Sequence, residues 1–443
     1  MSKIAADRII SASWIIPIRP RNRVYEDCAI VILDSQILDL CPISEAKTKY
    51  SCSDNTHLEG HALLPGLINC HSHAAMSLLR GYADDKALMT WLEDHIWPAE
   101  SQWVDEHFVR DGTELAIAEM LQSGTTYFSD MYFFPEQAIE AALKSGIRAQ
   151  ITFPVIDFPT AWANDADDYI HKGLQVMDNY RSSERIQIGF GPHAPYTVSD
   201  APLIKIATYA EELQAPVQIH LHETAFEVNQ AEKELGQRPI ERLSALGLLT
   251  PTTQCVHMTQ VNDADVELLK NTGASVVHCP NSNLKLASGA CPTQKLLDNG
   301  INVALGTDGA ASNNGLDMFA ELRNAALLAK HENGNAAALD AMTALEMATI
   351  NGAKALGLES TIGSLERDKQ ADIIAVDLSA SRFQPVYNPI SQIVYCNVGE
   401  AVRHSWVGGE LVLTDGKPTK LSITQIHNKA QQWRDKIQQQ STL

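Results

Sequence analysis

Apolar, strand-like runs alternate with helical patterns from about Leu63 to about Ile350, and this alternation restricts the fold more than any other property of the chain. Eight runs follow one another at residues 64–70, 125–130, 149–155, 186–191, 216–221, 252–257, 275–279 and 302–306. Helical patterns such as 111–122, 201–213, 263–271 and 317–331 separate them. Strands interleaved with helices in this way form parallel sheets. Eight such units fit a TIM barrel better than an open sheet.

The flanks read differently. Residues 6–14, 29–33 and 36–41 are β-rich, a polar stretch covers 48–56, and strands return at 371–376, 404–407 and 410–414. Strand-rich material at both ends predicts that the termini pair into one small β domain. The expected division is 1–60 with 365–420 for that domain, 61–364 for the barrel, and 421–443 for a polar C-terminal helix.

Composition narrows the partners. The chain has 443 residues, 45% of them hydrophobic, which leaves ample apolar mass for a core. A net charge of −20 argues against nucleic acid, which needs a basic face, but not against an uncharged nucleoside. The eight cysteines form no C-x-x-C pair, so reduced thiols and a cytoplasmic setting are expected. The start MSKIAADRII has no basic region before an apolar core, and no run reaches the ~18 apolar residues of a membrane span. Neither export nor membrane insertion is expected.

The chemistry sits at the strand ends. The first run ends in His71-Ser-His73, the fourth in His193, the fifth in His220-Leu-His222-Glu223, the sixth in His257, the seventh in His278, and the eighth is followed by Asp308. Active sites of TIM barrels form at this C-terminal rim, so these side chains converge. Residues two apart on a strand point the same way, which lets His71 and His73 share one ion. Neutral imidazoles bind Zn²⁺ well, and His220 and Asp308 complete a three-histidine, one-aspartate set. Periodicity also puts His222 on the face of His220. The deeper His220 is the preferred ligand, with the reverse assignment left open.

The segments L-P-G-L-I-N-C-H-S-H, G-P-H-A-P-Y-T, H-L-H-E-T, V-H-C-P-N-S-N-L-K-L-A-S-G and G-T-D-G-A-A-S-N-N together resemble the amidohydrolase superfamily. More narrowly they are similar to its branch of 5-methylthioadenosine/S-adenosylhomocysteine deaminases and the related triazine chlorohydrolases and guanine deaminases. The resemblance extends from about residue 5 to 415 and includes G-S-L-E-R-D-K-Q-A-D-I-I-A-V-D. It implies a distorted TIM barrel with a flanking β-sandwich made by both termini, and one divalent ion, expected to be Zn²⁺, on His71, His73, His220 and Asp308. It also implies a homodimer. Fe²⁺, Mn²⁺ and Ni²⁺ fit the same ligand types.

By the same resemblance the reaction is hydrolytic deamination of an adenine nucleoside. Glu223 shuttles a proton to the ring, and His257 with Asp308 positions the attacking water. Glu100, closing W-L-E-D-H-I-W-P-A-E, matches a residue that binds ribose hydroxyls, and His193 matches a substrate-contacting histidine. Glu223 and Asp308 also face the substrate. Trp91 and Trp97 are candidate walls for the purine. Arg148 opens the third strand at the wrong end of the barrel and is left out; His278 reads as a supporting or packing residue.

Three alternatives stand beside this reading. A two-metal cyclic amidase needs a carboxylated lysine on a strand end, and none of these strand ends carries lysine. Guanine or triazine rings would keep the metal and change the substrate. A barrel scaffold without catalysis is disfavoured because every ligand and proton-transfer candidate is present. The H-x-E and P-C-x-x-C motifs of cytidine deaminases do not occur.

Overall fold

The computed structural model describes residues 3–440. Eight parallel strands lie side by side in chain order: Leu67–Ser72, Thr125–Met131, Arg148–Val155, Ile186–Pro192, Val217–Leu221, Thr253–His257, Ser275–His278 and Val303–Leu305. All eight are almost wholly buried, which explains why they read as continuous apolar runs rather than alternating ones.

The first and eighth strands close the barrel without a backbone ladder. The Asn69 side chain bridges them, donating to Thr307 Oγ1 at 2.7 Å and accepting from Thr307 N at 3.0 Å. Asp308 N donates to His71 O at 3.0 Å. This approach requires Gly306, where a Cβ would stand 2.7 Å from His71 Cβ. Closure thus brings Asp308 beside His71.

The first strand begins later than the sequence suggests. Leu64 belongs to a long strand, Asp54–Pro65, of the other sheet, and the chain breaks at Gly66, where a Cβ would strike the Thr126 side chain. The expected polar stretch at 48–56 holds the end of a short helix, Ile43–Lys49, and the start of that strand.

The chain ends form one sheet ordered Lys417–Pro418, Glu410–Thr414, Val402–Val407, Ile373–Asp377, Asp54–Pro65, Arg8–Ile15, Cys28–Leu33 and Gln36–Pro42. N- and C-terminal parts meet where Ile373–Asp377 pairs antiparallel with Asp54–Pro65. The sheet folds back on itself: Gly409, between two C-terminal strands, packs against Ile32, and Arg8 Nη1 donates to Gly409 O at 2.6 Å. That curvature makes the expected sandwich.

Arg148 ties sheet and barrel together at the end away from the site. Its guanidinium meets Asp372 Oδ2 at 2.9 Å and Gln370 Oε1 at 2.7 Å. Residues 423–440 form the C-terminal helix, which anchors on the helix Glu106–Gln122 through Lys429 and Trp433, both bonded to Asp111. No helix among the described residues is long and apolar enough to cross a membrane.

Candidate active site

At the C-terminal rim four donor atoms crowd one point. His220 Nε2 lies 3.2 Å from His71 Nε2 and 3.3 Å from His73 Nε2, and Asp308 Oδ1 lies 3.4 and 3.3 Å from the same two nitrogens. The other ring nitrogens are engaged: His73 Nδ1 with Met131 O at 2.7 Å, His220 Nδ1 with His193 O at 2.6 Å, and His71 Nδ1 with Gln218 Oε1 at 2.8 Å. A carbonyl only accepts, so His73 and His220 carry their protons on Nδ1 and point bare Nε2 lone pairs at each other. Burial holds His71 and His220 below the usual imidazole pKa, hence neutral.

Lone pairs and a carboxylate at these separations repel unless a cation lies among them. Tetrahedral ligands at bond lengths of roughly 2.0–2.1 Å have edges of about 3.3 Å, which is the spacing observed. The donor set therefore fits a divalent metal ion. Asp308 is held for this by Ser282 and Ser312, whose hydroxyls donate to Oδ2 at 2.6 and 2.8 Å and leave Oδ1 facing the histidines.

His222 takes no part. The strand stops at Leu221, and His222 adopts φ +53°, a left-handed backbone that breaks the two-residue alternation. Its ring turns away, with Nδ1 3.0 Å from Gln260 O and Nε2 accepting from Ile240 N at 3.2 Å. The same turn swings Glu223 into the cavity. Glu227 stabilises it, Oε1 accepting from His222 N at 3.0 Å and Oε2 from Glu223 N at 2.8 Å. His257 and Asp308 share the left-handed conformation, at φ +76° and +61°. Such backbone at strand ends re-aims side chains that an ideal strand would direct elsewhere.

Glu223 and His257 face each other, Oε2 to Nε2, at 3.7 Å. Burial pushes the Glu223 carboxyl up to about 8, the charge of Asp308 adding to the rise. His257 is held by Asn283 Oδ1, 2.8 Å from its Nδ1. His193, lowered to about 4 by burial, lines the cavity with Nδ1 on the Thr197 hydroxyl at 2.9 Å. His278 is buried behind the site, 3.5 Å from the Asn283 amide, and does not line the cavity.

The cavity above the donors holds about 500 Å³. One wall is residues 88–103, two helical pieces joined by a wider π-turn at Leu92–Ile96. This wall brings Trp91, Trp97 and Glu100 to the cavity, facing Phe158 and Tyr196. Glu100 Oε1 accepts from the Tyr132 hydroxyl at 2.6 Å, and burial raises its carboxyl to about 6 against that bond. None of the described residues lining the cavity is lysine or arginine.

Residues 62–412 match the model of the amidohydrolase family. The chain belongs to the amidohydrolase family. Curated relatives named 5-methylthioadenosine/S-adenosylhomocysteine deaminase include those of Teredinibacter turnerae, 57% identical over 97% of this chain and 98% of the relative, and Saccharophagus degradans, 55% identical over 99% and 98%. A crystal structure of an adenosine deaminase from Xanthomonas campestris with bound zinc is 44% identical, with a TM-score of 0.97 over 99% of this chain and 100% of that one.

In this amidohydrolase His73, Glu100, His193, His220, Glu223, His257 and Asp308 line one cavity with Trp91 and Trp97, and His71 lies just beneath it against His220 and Asp308. Sequence reasoning missed Tyr132, Ser282, Ser312, Asn283 and Gln218, which hold the reactive groups in place. Tyr132 lies just past the second strand, a place the rim argument covers; the rest act through side-chain bonds that no spacing rule marks.

Proposed function

We propose that this amidohydrolase is a hydrolytic deaminase of adenine nucleosides, with one zinc ion per chain on His71, His73, His220 and Asp308. One observation carries the reading: a cluster of four metal donors, three of them lining the cavity, stands beside a carboxyl, Glu223, raised to about 8. A divalent cation, held by His71, His73, His220 and Asp308, would lower the pKa of a water in the cavity toward neutrality. Glu223, protonated at neutral pH, donates to N1 of the purine and makes C6 electrophilic. His257, its Nδ1 bonded to Asn283 Oδ1, offers the Nε2 lone pair to the attacking water, which it positions with Asp308, and this pair relays the proton the water gives up to the leaving amino group. Attack at C6 gives a carbon bearing a hydroxyl and an amino group; the amino group takes the proton given up by the water and leaves as ammonia, and the hydroxyl proton returns to Glu223, leaving the 6-oxo nucleoside with a proton on N1.

Substrate recognition follows from the wall. Glu100 accepts hydroxyl protons of the ribose, with Tyr132 fixing its orientation. Neutral His193 contacts the ring. The absence of a cationic group among the lining residues favours an uncharged 5′ thioether over the amino acid of S-adenosylhomocysteine, and the names of the relatives support a 5′-thio nucleoside. The test is ammonia release by zinc-loaded protein from methylthioadenosine, S-adenosylhomocysteine, adenosine, guanine, cytosine and a chlorotriazine. Methylthioadenosine is expected to give the highest kcat/KM. Guanine or cytosine turned over faster than every nucleoside contradicts the proposal.

A further inference from the structure

Beneath the four donors the barrel interior is polar. Gln150, Gln218 and Gln254, on the third, fifth and sixth strands, are fully buried, and Gln254 is bonded to both of the others. A buried amide has a donor end and an acceptor end, and neighbours with a single role decide which is which. Gln254 Nε2 lies 3.2 Å from Ala355 O, a carbonyl, so its oxygen faces Gln218. Gln218 Nε2 then donates its two hydrogens to that oxygen at 2.6 Å and to Cys70 O at 2.9 Å, with Ser129 Oγ 3.1 Å away. Its own oxygen is left facing His71 Nδ1 at 2.8 Å.

We propose that Gln218 is a positioning residue that holds His71 in its Nδ1–H tautomer and so keeps the Nε2 lone pair aimed into the donor cluster. The inference rests on the metal-site reading above. His73 and His220 get the same service from backbone carbonyls, Met131 O and His193 O. His71 alone of the three depends on a side chain. Without an acceptor at Nδ1, His71 is free to carry its proton on Nε2 and donate it to His220 Nε2, 3.2 Å away, in place of binding metal.

The test is competition between full-length, metal-stripped protein and a zinc-binding dye, run on wild type and on Gln218→Met, Gln218→Glu, Gln254→Met and His71→Ala. Loss of an outer partner of a ligating histidine costs about 10- to 100-fold in metal affinity, and that loss is expected for Gln218→Met. Gln218→Glu, protonated where it faces Gln254 Oε1 and Cys70 O, keeps an acceptor oxygen for His71 and is expected to bind zinc within about threefold of wild type. Gln254→Met disturbs the same core but leaves Cys70 O and Ser129 Oγ to orient Gln218, so it too is expected to stay within about threefold. Wild-type affinity in Gln218→Met, or equal losses in Gln218→Met and Gln254→Met, overturns the proposal. If Gln218→Met does not fold, Gln218→Glu decides, and a loss of about tenfold or more there overturns it. Wild-type affinity in His71→Ala overturns the metal site itself and is told apart from a failure confined to Gln218.

Discussion

The histidines of the cavity floor stand on barrel strands or at their ends, His71, His220 and His257 buried and His73 and His193 partly so, with two of the three clustered rings tied to a backbone carbonyl. The wall that carries Trp91, Trp97 and Glu100 is an inserted helical segment with a π-turn, several exposed residues, and Glu100 steered by a side chain, Tyr132. Floor atoms are set by the closure of the barrel, which cannot shift without unfolding it. Wall atoms depend on local helical geometry that other sequences could replace. The contrast assigns the chemical step to the floor and substrate choice to the wall, so floor variants should lower kcat and wall variants should change kcat/KM between substrates.

The largest effect expected belongs to the floor. Glu223→Gln preserves shape and can still bond the ring but has no proton to give, so kcat should fall roughly 10²–10⁴-fold with KM and bound zinc little changed. Steady-state kinetics with metal analysis checks this. A raised KM at wild-type kcat places Glu223 with the wall and breaks the comparison.

A smaller effect belongs to Glu100. An unmade hydrogen bond to a charged group costs on the order of 1.5–3 kcal/mol, so 2′-deoxyadenosine should lose about 10- to 150-fold in kcat/KM relative to adenosine. Glu100→Ala should erase most of that discrimination. If the variant discriminates as wild type does, Glu100 is not the ribose contact.

The two carboxyls should also separate in pH profiles. Glu100, raised to about 6, accepts hydroxyl protons only when ionised, so KM for ribonucleosides should rise as pH falls through 6. Glu223, raised to about 8, donates only when protonated, so kcat should fall as pH rises through 8. Each limb amounts to at most about tenfold per pH unit. Glu100→Gln should flatten the acid limb in KM and leave the alkaline limb in kcat; loss of both limbs together contradicts the division.

The same division explains how far the sequence could be read. Strand ends are positions in a repeating pattern, so His71, His73, His193, His220, His257 and Asp308 were visible as a set. Periodicity failed at His222, where one left-handed residue redirects the chain, and periodicity cannot report a single φ. It misplaced the start of the first strand because Leu64 and Leu67 are equally apolar, and only the crowding at Gly66 separates the two sheets. Gln218 and Ser282 went unseen because an amide or hydroxyl inside a strand or short helix looks the same whether it supports a ligand or fills space.

The proposed deamination needs one metal ion on the four strand-end donors. Zinc titrated back into metal-stripped protein, with ammonia release from methylthioadenosine followed at each addition, tests it most directly. No turnover is expected without metal, and the rate should rise linearly and break at one equivalent per chain. A break at two equivalents, or full turnover by the stripped protein, contradicts it.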